Sequence, residues 1–124
     1  MLRNGFENGA PIGGSQASSQ VSASVAAEDA PVTADVNSNG QLFILRPEGA
    51  EGTFNLPALA DVPLGWSVNV FANDSGNAVN VTPDGSDAFI NDGAGATFVI
   101  PATRTGTVVK VDDGSPNGVW AVLL

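Results

Sequence analysis

The sequence predicts an all-β fold: a small antiparallel β-sandwich, jelly roll or barrel of about eight strands, preceded by an extended N-terminal arm. Three observations carry this reading. From Gly40 onward, short apolar runs alternate with clusters of Gly, Pro, Asn and Asp. Within the clearest of those runs apolar side chains recur at every second residue, the period of a half-buried strand. No stretch carries the wide apolar stripe of an amphipathic helix.

The expected strands are residues 41–46, 53–56, 66–72, 78–82, 88–90, 97–100, 107–111 and 119–123. In 66–72, Trp66, Val68, Val70 and Ala72 share one face, which leaves Ser67 and Asn69 to solvent. The run 78–82 repeats the pattern with Val79 and Val81 inward and Asn80 outward. Between these two runs, Asn73-Asp74-Ser75-Gly76-Asn77 reads as a hairpin loop, and sequential antiparallel pairing follows from it. Further turn chemistry stands at Pro47-Glu48-Gly49, Pro83-Asp84-Gly85, Asn91-Asp92-Gly93 and residues 112–118. Residues 56–63 are bracketed by prolines and accommodate at most one helical turn, so they read as a crossing loop. The closing run 119–124 is apolar on both faces, as expected of a central strand or of one buried at a subunit contact. Trp66, Val68, Val70, Trp120 and Val122 are the residues expected in the core or at that contact.

Composition divides the chain into an arm, residues 1–38, and a β domain, residues 39–124. The arm is rich in Gly, Ala, Ser and Gln, with apolar residues placed singly at Phe6, Ile12, Val21, Val25, Val32 and Val36. Asn8-Gly9-Ala10-Pro11 and Gly13-Gly14-Ser15 are linker chemistry. Residues 17–29 contain alanines, but their serines and valines form helix weakly and show no stripe. An arm of this kind is expected to be ordered by a partner chain. The β domain, about 85 residues, lies near the size at which one core is marginal, and without Cys it is expected to oligomerise.

The 124 residues include 4 basic and 13 acidic side chains, a formal charge of −9, with no Cys, His or Tyr. Disulfides, thiolate or imidazole metal ligands and the commonest general bases are thereby excluded. Four cations, Arg3, Arg46, Arg104 and Lys110, make no basic patch for nucleic acid or an anionic bilayer. No apolar run reaches the length of a membrane span, and the N-terminus lacks the order of a signal peptide, so a cytosolically made protein is expected. Asp84, Asp87 and Asp92 lie close in sequence, but Asp and Asn beside Gly are the ordinary chemistry of tight turns and the spacing fits no calcium loop.

A two-carboxylate glycan hydrolase needs a facing pair that the sequence does not single out. Lys110 is the only amine base for a Ser or Thr nucleophile, yet its alternating run reads as a strand with a solvent-facing lysine that protects an edge. Trp66 and Trp120 could stack on sugars, but their inward register favours the core. Gly93-Ala94-Gly95-Ala96-Thr97 lacks the Lys and the helix of a phosphate loop. These readings point to a non-enzymatic protein with no cofactor and no metal.

The succession Gly52-Thr53-Phe54-Asn55-Leu56-Pro57, Leu64-Gly65-Trp66-Ser67-Val68-Asn69-Val70, Val79-Asn80-Val81-Thr82-Pro83, Phe89-Ile90-Asn91 and Gly118-Val119-Trp120-Ala121-Val122 resembles small β-rich virion proteins of tailed bacteriophages. Capsid decoration (cement) proteins and tail-fibre modules share this layout over residues 40–124. The polar arm resembles those with which decoration proteins hold neighbouring capsid subunits. The resemblance implies a structural protein on the outer surface of the virion capsid, bound to the major capsid protein and assembled as a homo-oligomer, with a trimer favoured. Leu2, Arg3, Phe6 and Ile12 are then the arm residues expected to anchor to the shell. The alternative is a tail or fibre component, or a glycan-binding attachment module.

Overall fold

The computed structural model describes residues 23–26, 31–47 and 49–124. Nine strands lie among them: β1 (Ala23–Ala26), β2 (Val32–Thr33), β3 (Leu42–Leu45), β4 (Gly52–Asn55), β5 (Ser67–Ala72), β6 (Val79–Thr82), β7 (Phe98–Ile100), β8 (Thr105–Val111) and β9 (Val119–Leu123). They form a five-stranded sheet, β9-β8-β5-β3-β1, and a four-stranded sheet, β2-β4-β6-β7. Among the described residues helix is confined to single 3₁₀ turns at Val36–Ser38 and Leu59–Asp61. The inner faces of the two sheets share one core. Phe43, Leu45, Val68, Val70, Val108 and Trp120 come from one side, and Phe54, Val79, Val81 and Ile100 from the other. Phe43 and Phe54 meet across the gap with ring centroids 4.9 Å apart.

The pairing differs from the antiparallel sandwich or jelly roll expected. Four ladders are parallel, β1–β3, β3–β5, β2–β4 and β4–β6, and only β5–β8, β8–β9 and β6–β7 are antiparallel. Up to β6 the chain alternates between sheets, so each strand lies beside the one two places earlier and runs the same way. The last full winding has one period on both sides: Leu42 pairs with Asn69 and Gly52 with Val79, each 27 positions on. The remaining strands then fold back antiparallel onto it.

Residues 73–77 are therefore not a hairpin, because β5 and β6 lie in different sheets. Turn residues alone do not distinguish a reversal within a sheet from a crossing of the roughly 10 Å between sheets. The crossing is held by Asp74, whose Oδ2 accepts from the backbone N–H groups of Gly76 (2.9 Å) and Asn77 (2.8 Å). The Asn77 amide donates in turn to Pro47 O, on the preceding crossing, at 3.3 Å. The Gly76 N–H holds the Asp74 carboxyl below its ordinary value of 3.8. A depressed carboxyl contributes stability above pH 3.8 and loses it as pH falls through the lower folded value. The Gly76 amide resonance is accordingly expected to titrate below pH 3.8 and to stop doing so in Asp74→Asn, as read by NMR.

Part of the expected arm belongs to the sheets. β1 lies beside β3 and β2 beside β4. Ala34 is 1% exposed in the core, and its N–H donates to Asn55 O at 3.0 Å. The next turn is closed by a capping box in which Asp35 accepts from the Asn37 N–H and Ser38 Oγ accepts from the Asp35 N–H. Trp66 Nε1 then donates to Val36 O at 3.1 Å, which ties this turn to the core. The folded unit thus begins before residue 38. Small side chains conceal these strands in the sequence, because a parallel ladder is held by backbone bonds that composition does not report.

The expected strand 88–90 contracts to one bridge, Phe89 to Trp120, flanked by bonds from Trp120 N–H to Ala88 O and from Ile90 N–H to Trp120 O. Asn91, in the left-handed region at φ 65, turns the chain away. The other seven expected strands overlap β3 to β9.

Candidate functional site

Trp66 and Trp120 are 1% and 0% exposed and meet edge to face at 5.6 Å. Neither indole offers a stacking platform to a sugar in this conformation. Val68 and Val70 are buried beside them, and Val122 packs half-buried against the same cluster. Since these are the only two tryptophans, native fluorescence is expected to be weakly quenched by acrylamide and strongly quenched after unfolding. Trp120 Nε1 has no hydrogen-bond partner, the one such buried side-chain polar atom among the described residues.

Leu2, Arg3, Phe6 and Ile12 lie outside the described residues. The structure instead draws attention to Lys110 and Asp87, which clamp the 3₁₀ turn Leu59–Asp61 from both sides. The Asp87 carboxylate accepts from the Leu59 N–H at 2.8 Å, at the start of the turn. The Lys110 ammonium donates to Leu59 O and Val62 O, each at 2.8 Å, at its end. The charges match the polarity of a helical turn. Lys110 is therefore not the solvent-facing edge lysine expected. Trp120, its partner on β9, shows that it shares the inward face, and the long stem carries the ammonium to the sandwich rim.

Two adjoining surface clefts, of about 280 and 250 Å³, flank the loop containing Ser115, Pro116, Asn117 and Gly118. Lys110 and Asp112 border the first, and Ser86 and Asp87 the second. Here the Lys110 ammonium and one oxygen of the Asp87 carboxylate are engaged in holding backbone. Replacing Lys110 by Met is expected to cost about 2 kcal/mol in urea unfolding, the loss of charge-assisted bonds to carbonyls left partly buried.

Asp84 and Asp92 belong to local turns: Asp84 O accepts from the Asp87 N–H, and Phe89 O accepts from the Asp92 N–H. Among the described residues no three carboxylates gather closely enough to hold a metal ion.

The outer faces of the two sheets differ in chemistry. On the four-stranded sheet, register aligns Thr33, Asn55 and Thr82 in one row and Thr53, Asn80 and Val99 in the next. Asn55 donates to Thr33 Oγ1 at 3.3 Å and Asn80 to Glu51 at 2.9 Å. On the five-stranded sheet the outward positions set Leu42, Ile44, Phe71, Val109, Val111, Ala121 and Leu123 around a polar centre of Ser67, Asn69, Thr105 and Thr107. Of all side chains in β3, β5, β8 and β9, only Lys110 is ionisable, and it lies on the inward face. β9 is an edge strand rather than a central one, the first of the two placements its doubly apolar sequence allows, and Leu123 is 65% exposed. The signal for this face was available in Val108-Val109 and Val119–Leu123, which are apolar on both strand parities. No protein-family model matches the chain, nor does any curated protein.

Proposed function

We propose that this protein is a structural, non-enzymatic component of a tailed-bacteriophage particle that binds the outside of the capsid and cements the mature shell. The arm preceding β1, through Leu2, Arg3, Phe6 and Ile12, grips neighbouring copies of the major capsid protein, and the β domain stands on the outer surface as part of an oligomer. One observation supports this reading above others: a chain of net charge −9 reserves a whole sheet face without a charged side chain. Such a face is suited to burial against protein, whereas the acidic loops around it are suited to water. A clamp that binds only the expanded shell stabilises it by mass action, and repeated copies on a lattice gain effective concentration.

The test is to add purified protein to mature capsids that lack it. Bound protein and a raised temperature of shell disruption are expected, with both effects lost on deleting residues 1–14 while the domain stays folded. Capsids that neither bind it nor gain heat resistance contradict the reading.

A second reading, a tail or fibre module that attaches to host glycans, is favoured by the Thr and Asn rows on the four-stranded sheet. Retention of the protein by immobilised host polysaccharide, lost in Asn55→Ala and Asn80→Ala together, supports that reading instead.

A further inference from the structure

We infer that Asn117-Gly118, in the turn between β8 and β9, is a site of spontaneous self-modification, where the main chain displaces the Asn117 amide and water completes its conversion to aspartyl and isoaspartyl residues. This stands apart from the capsid reading and needs no partner.

The residue pair sets the chemistry. The Gly118 main-chain nitrogen attacks Asn117 Cγ, so that an N–Cγ bond forms, the Cγ–Nδ2 bond breaks, and Nδ2 leaves as ammonia with the Gly118 proton. Water then opens the cyclic imide, and nothing is oxidised or reduced. Attack of water at Cγ restores the main chain and leaves an aspartyl side chain. Attack at the main-chain carbonyl carbon leaves the chain running through Cγ, the isoaspartyl form. A glycine at 118 has no side chain to hinder the approach.

The structure separates this site from Asn39-Gly40, which has the same chemistry but is locked at both ends. Gly40 N–H donates to Ser67 O at 2.7 Å, and Asn39 Oδ1 accepts from Ser67 N–H at 2.9 Å. Asn117 is exposed, and its side chain makes no hydrogen bond to any described residue. Gly118 N–H is held by Ser115 O alone, at 3.2 Å. An added Cβ at Gly118 would lie 3.3 Å from Lys110 Cε, so the lysine stem runs against the reacting peptide and brings a cation near the charge that develops there. The loop's own carboxylates hold its backbone: Asp112 accepts from Gly114 N–H and Asp113 from Ser115 N–H, each at 2.9 Å. Either product adds a carboxylate to the cleft bordered by Lys110 and Asp112. The isoaspartyl form also inserts a methylene into the main chain beside Gly118, which is pressed against the Val111 carbonyl.

The test keeps the full chain folded in mildly alkaline buffer for weeks, with samples digested by trypsin and read by chromatography and mass spectrometry. Cleavage after Lys110 releases residues 111–124, in which Asn117 is the only side-chain amide. Fragment masses locate conversion at Asn39 apart from that at Asn4-Gly5 and Asn8-Gly9, which lie outside the described residues. Conversion at Asn117 is expected to be about tenfold faster than at Asn39, where one more hydrogen bond must be released. In urea-unfolded protein the two sites are expected to convert at similar rates. Asn117→Gln is expected to hold the 111–124 peptide at its starting mass, because the longer side chain closes its ring far more slowly. Buried-tryptophan fluorescence reports that each sample stays folded. An unchanged 111–124 mass in the folded protein, conversion at Asn39 as fast as at Asn117, or an aspartyl product without the isoaspartyl form overturns the inference.

Discussion

Replacing Trp120 by alanine is expected to remove about 3–5 kcal/mol of stability, the cost of deleting a large aromatic from a packed core. Its side chain is fully buried, meets Trp66 edge to face at 5.6 Å and stands on the strand that receives the Phe89 bridge. A domain of this size holds about 5–15 kcal/mol in total, so the variant sits near its unfolding threshold. Urea denaturation followed by Trp66 fluorescence measures the effect. Trp120→Phe is expected to lose less than half as much, because it keeps a ring and removes the buried N–H that has no acceptor. A loss below about 1 kcal/mol in the alanine variant would place Trp120 outside the core.

The second large effect is expected from Gly118→Ala. Gly118 has φ +76, and an added Cβ would lie 2.6 Å from the backbone oxygen of Val111, which has no flexible end that can yield. Left-handed strain costs of order 1–3 kcal/mol, and displacing the carbonyl adds to it. The total is about 3 kcal/mol, with the damage centred on the turn that joins β8 to β9. Hydrogen exchange of the β8 and β9 amides is expected to accelerate in Gly118→Ala well before that of β4 and β6. Uniform acceleration across both sheets contradicts a local origin.

Period-two alternation exposed β5 and β6 in the sequence because their inward positions, Trp66 to Ala72 and Val79 to Val81, are buried in a strict every-other pattern. What alternation cannot encode is which strand lies alongside. The 27-residue winding depends on the crossings from β3 to β4 and from β5 to β6, beside Pro47 and Gly49 and at Asn73 to Asn77, turn chemistry that is equally that of a hairpin. β1 and β2 escaped for a related reason, since a single valine in each, Val25 and Val32, among Ala, Ser and Thr shows no alternation while their backbones complete parallel ladders. Lys110 escaped because its role lies in carbonyls of residues 48 and 51 positions away, Val62 and Leu59. The uncharged sheet face was half legible: the doubly apolar run at 119–124 pointed to a covered surface, but only the register joins it to Val109, Phe71 and Ile44.

That face, together with the proposed arm, is the physical basis for proposing the chain as a building component of a larger particle. The most direct test of the proposed capsid role is immunogold labelling of intact phage particles prepared from a culture that expresses this chain, with antibody raised against the folded chain. Label distributed over the outer surface of the head is the predicted result. Label confined to the tail, or absent from intact particles, would contradict the account.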